Sequence, residues 1–384
     1  MIYLDHASTT PVEKKVLDQM LPYFSEKFHN PSSLYAGALE ARRAIEKSRK
    51  KIADFLNCSP DEIIFTSGGT ESNNLAILGI TQNLKFKGKP HIVTSAIEHP
   101  SVLNPCRELE KKGFEVSYVL PNSQGIVEAT AISKLLKKST VLVSLMYANN
   151  EVGTIQPVAQ VGKIIKKFNK KNNCQIVFHT DACQAASYLD MNEKKLGVDL
   201  LTINGSKVYG PKGVGALFVK RGIDISPIIF GGGQEEGLRS GTLNTPLIVG
   251  LGAAIELINP KKTQKERLLR DLLIDGLLEI SASRLNGSRL SRLANNVNIS
   301  FDAVEGESAV LYLDRAGIAC STGSACSSKS LEPSHVLLSM GLSEERAHCS
   351  LRFTLGRKTT KMEICKTISE VKKTVEKLRK ISAL

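Results

Sequence analysis

Short apolar runs at 63–66, 91–94, 116–119, 140–145, 175–179, 199–203 and 214–219 alternate with segments of helical period at 39–56, 71–84 and 158–171. In the last segment Val161, Ile164, Ile165 and Phe168 form one apolar stripe at the i, i+3, i+4, i+7 spacing of a helix face. Strands that alternate with helices need crossover connections, so the pattern predicts an α/β fold with a mainly parallel sheet covered on both faces. From about residue 250 the rhythm changes to a long, basic, helix-like stretch at 255–283, a strand-like run at 296–301 and a final helix at 361–380. That shift predicts a second, smaller α+β unit. The expected boundaries are 15–258 for the large unit, with 1–14 and 259–384 together forming the small one.

Composition narrows the function classes. The 384 residues are 42% hydrophobic and 23% charged, enough apolar material for a sizeable core. Lys+Arg number 51 against 38 Asp+Glu, a formal charge of +13, which suits an ordinary basic surface or an acidic partner. Aromatic residues make up only 5% and Trp is absent, which weakens any base-stacking mode of nucleic-acid binding, and no direct nucleic-acid partner is expected. No run approaches the roughly 18 apolar residues that span a bilayer, and residues 1–5 lack a secretory pattern. A soluble, cytoplasmic protein without a membrane partner is expected. The eight cysteines are scattered, without a C-x-x-C, as befits a reducing compartment. Cys320 and Cys326 are poorly spaced for zinc, and no metal is expected.

Several motifs carry chemistry. Gly68, Gly69 and Thr70 lie between a strand and a helix, where glycine lets an anion approach backbone N–H groups at the positive end of the helix; a plain N-capped turn would look the same. Lys207 follows an apolar strand and precedes two glycine turns, so partial burial would lower its pKa and leave a nucleophilic amine; in isolation it equally fits a surface lysine. Asp181 ends a buried run, a costly place for a carboxylate unless a cation faces it, such as the protonated ring nitrogen of pyridoxal phosphate; an Asp capping the next helix is the other reading. Phosphate cradle, lysine and carboxylate supply three different contacts to one cofactor. His99 and Asn149-Asn150 fall at the carboxyl ends of strands, where open α/β sheets bind ligands. Arg352 sits in a strand-like run and is suited to a bidentate pair with a substrate carboxylate, or to a surface ion pair. Cys326 lies among small polar residues near Lys329, a setting that favours an exposed thiolate.

These residues resemble the cysteine desulfurases, pyridoxal-phosphate enzymes of iron–sulfur cluster assembly on the class V aminotransferase-like branch, with the longer active-site loop. The resemblance runs from 4–11 and 30–33 to 351–353, through 149–153, 231–235 and 239–242, and is most specific at Ser324-Ala325-Cys326 followed by 330–334. It implies the aspartate-aminotransferase-like transferase fold, with the cysteine loop carried by the small unit. It implies that Lys207 binds the cofactor, that Gly69, Thr70, Asn204 and Ser206 take its phosphate, and that Thr242 is lent to the neighbouring subunit of a homodimer. Asp181 would face the ring nitrogen, Gln184 and Asn150 the phenolic oxygen, and His99 would stack on the ring and help ionise the substrate thiol. Arg352, with Asn150, would hold the L-cysteine carboxylate. Cys326 would take the sulfur as a persulfide for an iron–sulfur scaffold, a tRNA-thiolation partner or another acceptor protein, leaving L-alanine. Ser206 stands where His is common and Asn204 where Ser is usual. Cys320 occupies a usually aliphatic position, either inert or able to trap the persulfide as a disulfide. A selenocysteine lyase, another enzyme of the same branch, or a non-enzymatic sulfur carrier are the competing readings.

Overall fold

The computed structural model describes residues 1–82, 84, 88–322 and 332–382. Its strands in chain order are β1 (Ile2–Tyr3), β2 (Ile63–Thr66), β3 (His91–Ser95), β4 (Glu115–Val119), β5 (Thr140–Ser144), β6 (Val177–Asp181), β7 (Leu200–Asn204) and β8 (Gly215–Val219), then β9 (Ser283–Leu285), β10 (Asn296–Phe301), β11 (Ile318–Ala319) and β12 (Ser350–Thr354). Among the described residues β2 to β8 form a seven-stranded sheet in the order β2-β8-β7-β6-β5-β3-β4. Strand β8 runs antiparallel to both neighbours, and the other pairings are parallel.

The central strands β3, β5 and β6 are buried along their whole length, which is why they read as unbroken apolar runs. Successive residues point to opposite faces and enter different cores. Val93, Val143 and Phe178 pack on one face, with the helix Val158–Asn172. Ile92, Leu142 and Val177 pack on the other, against the helices Gly69–Gln82 and Pro100–Lys111. A third core joins Ile2 and Leu4 to Leu273, Val297, Phe301, Phe353 and Val371 around the antiparallel sheet β12-β10-β9. Strand β1 pairs in parallel with β11, which ties the first residues to the C-terminal part of the chain.

Two expectations need correction. The stretch at 255–283 is not one helix: Thr245–Glu256 ends just inside it, Gln264–Leu278 follows after a break, and Ser283 begins β9. Pro260 has no N–H to donate, and the Asn259 side chain instead accepts from the Lys261 N–H, so the helix breaks there. Strand β6 starts two residues later than the apolar run suggests. The Ile176 N–H is taken by Asn169 Oδ1 at 3.0 Å, so the ladder begins at Val177 and its last residue is Asp181. No helix among the described residues is long and apolar enough to cross a membrane.

Candidate active site

The order of the large sheet reverses between β3 and β5, and in open α/β sheets ligands bind at such a switch, outside the carboxyl ends of the strands. His99 follows β3, Asn150 follows β5, Asp181 ends β6 and Asn204 ends β7, so four strand ends deliver four of the expected site residues to one rim.

At one side of that rim lies a cavity of about 300 Å3 lined by Ser8, Gly69, Thr70, Asn204, Ser206 and Lys212, among others. A Cβ built on Gly69 would stand 2.8 Å from Cys183 Sγ, so only glycine lets the start of this helix approach so closely. The first turn of Gly69–Gln82 directs unpaired backbone donors outward, as at any helix start. Glu71 in that turn accepts from the Ser67 N–H and from Arg239 Nε at 2.9 Å. Burial raises its pKa, but the bonds from Arg239 and Ser67 outweigh that and hold it below the usual carboxylate value. Asn204 caps the short turn Gly205–Lys207, its Oδ1 accepting from both the N–H and the hydroxyl of Ser206 at 3.2 Å. Those two bonds commit the Ser206 hydroxyl proton to Asn204, whose Nδ2 lies on the Gly69 side.

Lys207 Nζ donates to the carbonyl of Ala7 at 2.9 Å and to that of Ser8. Gln184 Nε2 donates to the same Ala7 carbonyl at 3.0 Å. The N-terminal segment thus reaches the rim and collects the lysine and the glutamine. Asp181 is buried; its Oδ1 accepts from the Cys183 N–H at 2.9 Å and its Oδ2 from Asn73 Nδ2 at 2.7 Å. The first bond is the turn-capping role left open above, and it coexists with a carboxylate fixed in a buried setting. His99 caps the helix Pro100–Lys111 and its Nδ1 accepts from the Ser101 N–H at 3.1 Å. Burial lowers its pKa, Asp181 acts in the opposite sense, and Lys207 and His335 add to the lowering.

Arg352 is not a surface ion pair. It is 2% exposed, with Nη2 donating to Asp5 Oδ1 and Ser8 Oγ, each at 2.8 Å, and Nη1 donating to the Asn150 carbonyl at 3.0 Å. Its backbone pairs with Ser321, the Arg352 N–H bonding to the Ser321 carbonyl at 2.6 Å. Next to Asn150 the buried Glu151 accepts from the Ser334 hydroxyl. Burial raises the Glu151 pKa, against the opposing pull of His335, Ser334 and Arg352. Cys326 lies outside the described residues, but the chain on either side of that segment, at Ser321 and Ser334, meets this one corner. Thr242 is exposed, close to Gly241, whose N–H donates to Gln234 Oε1 at 2.8 Å. Burial pushes the Cys320 thiol up to about 12, so it is protonated at neutral pH and a poor nucleophile.

Asn73, Ser101, Asp5, Glu98 and Glu151 were not singled out from the sequence. Asn73 carried a signal: it lies one helical turn after Gly69 and so shares its face. Asp5 carried none, since nothing local marks it as the partner of Arg352. Glu98 is wholly buried, its Oε1 accepting from Ser95 Oγ at 2.7 Å and the Met146 N–H at 2.8 Å; burial pushes its pKa up to about 8.

Residues 2–366 match the family described as aminotransferase class-V. A protein of Dictyoglomus turgidum named cysteine desulfurase IscS is 50% identical over 99% of this chain and 96% of its own. A solved NifS-like protein is 36% identical and superposes with a TM-score of 0.91 over 98% of this chain and 99% of its own. A structure titled SspA in complex with cysteine is 38% identical, with a TM-score of 0.82 over 92% of this chain and 99% of its own. The architecture is therefore that of the pyridoxal-phosphate-dependent transferases, a mostly parallel sheet flanked by helices.

Proposed function

Because the chain belongs to the class-V aminotransferase family, we infer that it is a cysteine desulfurase, which uses pyridoxal phosphate to remove the sulfur of L-cysteine and release L-alanine. The observation that carries this reading is the full-length likeness to a cysteine desulfurase, joined to a lysine, a buried carboxylate and a glycine cradle on one sheet rim.

The residues present fit the cofactor. The cradle is lined by Gly69, packed too closely on Cys183 for a side chain, the Asn204 amide is held beside it, and Asp181 is a buried carboxylate suited to a cationic ring nitrogen. When bound, pyridoxal phosphate stores the electron pair left at the substrate Cα as its proton departs. In our reading Gly69, Thr70 and Asn204 hold the phosphate, with Ser206 orienting Asn204 and Thr242 serving the other subunit of a homodimer. Asp181 keeps the ring nitrogen protonated, Gln184 and Asn150 serve the phenolic oxygen, and His99 stacks on the ring. Lys207 anchors the group and then takes the Cα proton at its released Nζ. Arg352 and Asn150 orient the substrate carboxylate. The Cys326 thiolate attacks the substrate sulfur. An S–S bond forms as the Cβ–S bond breaks, the carbon keeps the electron pair, and protonation there gives alanine.

Exposed Phe28 (66%), Leu34 (87%) and Phe230 (75%) support a homodimer, since such side chains favour cover by a second copy. The charge of +13 suits an acidic acceptor, and delivery of the persulfide sulfur to iron–sulfur assembly or tRNA thiolation in a reducing cytoplasm follows from the family reading. Mass spectrometry of Cys326 after incubation with L-cysteine tests the core of the proposal. One added sulfur atom on Cys326 and alanine in solution are expected. Full sulfide release by Cys326→Ala would overturn the role given to this thiol.

A further inference from the structure

Asn73 Nδ2 donates both to Asp181 Oδ2 at 2.7 Å and to Ser101 Oγ at 2.8 Å. A carboxylate only accepts, so the amide nitrogen, and not the amide oxygen, has to face Asp181. Ser101 Oγ accepts from Asn73, but a hydroxyl can accept twice, so the Ser101 backbone N–H decides the next bond: it donates to His99 Nδ1 at 3.1 Å. Nδ1 is thereby an acceptor, and the Ser101 hydroxyl, 2.8 Å from it, directs its own proton there as a second donor. A nitrogen facing two donors holds a lone pair, so the proton of the neutral ring sits on Nε2. The chain is enclosed, with Asn73 and Asp181 buried and Ser101 only 7% exposed, so water does not compete for these bonds.

We propose that the hydrogen-bond chain Asp181–Asn73–Ser101–His99 locks neutral His99 as its Nε2–H tautomer, so that the ring enters the reaction as a hydrogen-bond donor and not as a base. Asn73 and Ser101 are then positioning residues that act through His99. This rests on the desulfurase reading for the reaction but not for the tautomer. It replaces the thiol-ionising role that the family resemblance implies. A ring whose Nδ1 is already capped and whose Nε2 already carries hydrogen has no lone pair to offer substrate. The same chain reaches the carboxylate assigned to the ring nitrogen, so one network sets two contacts to the cofactor.

The test uses the full chain loaded with pyridoxal phosphate and labelled with 15N-histidine, the His99 signals being identified by their loss in His99→Gln. The expected spectrum shows a pyridine-like Nδ1 and a pyrrole-like Nε2 at neutral pH. Ser101→Ala keeps the backbone donor but loses the hydroxyl, and is expected to mix the tautomers, with kcat down about three- to tenfold and the cysteine KM changed by less than about twofold. Ser101→Thr is expected to restore both. His99→Gln, which keeps an N–H donor but no base, is expected to run at least about tenfold faster than His99→Ala. A proton on Nδ1, an imidazolium at neutral pH, or His99→Gln as slow as His99→Ala each overturns the proposal. A protein with the Nε2–H ring that forms no persulfide on Cys326 sinks the desulfurase reading and leaves the tautomer standing.

Discussion

The rim of the large sheet and the corner around Arg352 hold the site together by different means. At the rim each side chain is delivered by the end of its own strand or the turn that follows, and the rigid sheet sets the spacing. At the corner the partners are far apart in sequence: Asp5 and Ser8, Asn150, Glu151, Ser321, Ser334 and Arg352 meet only because the first residues cross to the C-terminal sheet. A scaffold of paired strands fixes the rim, whereas at the corner distant segments are joined by isolated contacts, Arg352 to Ser321 and Glu151 to Ser334.

The largest effect is expected at the rim. In the proposed mechanism Lys207→Ala removes both the anchor and the proton acceptor, and should abolish the absorbance of bound pyridoxal phosphate and cut sulfide release by at least about a thousandfold. At the corner, Arg352→Lys keeps a charge but not a planar fork, and should raise the cysteine KM by roughly ten- to a hundredfold while the cofactor stays bound. The same change leaves the partly exposed Asp5 without its planar partner, so the urea midpoint should fall by an amount equivalent to about 1–3 kcal/mol. If Arg352→Lys instead lost cofactor and kept its KM, rim and corner would not be separable in this way.

Glu151→Gln and Ser334→Ala are expected to slow persulfide formation on Cys326 by about three- to tenfold at unchanged cofactor affinity, measured by single-turnover mass spectrometry. An equal loss of cofactor binding would assign Glu151 to the rim. The effect that bears least on activity concerns stability and pH at Glu98. Its folded pKa of about 8 lies above the ordinary 4.5, so the folded state holds the proton more tightly than the unfolded one. The stability this gives is full below the ordinary value and is lost as pH rises through about 8. Thermal melting should therefore decline over that window by the equivalent of a few kcal/mol at most, on the order-of-magnitude linkage argument. Glu98→Gln should flatten the decline, and an unchanged slope would show that other groups set it.

Much of the rim was legible because a buried parallel strand is an unbroken apolar run, and a polar residue just after such a run has few places to be except the carboxyl edge. Asp181, His99, Asn150 and Lys207 were found by that logic, whereas Asn204 was named only through the family resemblance. The helical stripe at 158–171 was legible for a similar reason, since burial on one face imposes a period. Pro260 was in plain view, yet the reading of 255–283 as one basic, helix-like stretch did not count its missing donor.

The chain by itself determined the alternating architecture, the strand ends and the chemistry available there, because local burial and backbone preferences write themselves into short windows. Only the tertiary structure decided that Arg352 is buried against Asp5, that Glu151 meets Ser334, and that Asn73 joins Asp181 to Ser101. Those contacts join residues with no local signature in common, and a hydrogen bond reads distance and direction in space, not separation along the chain.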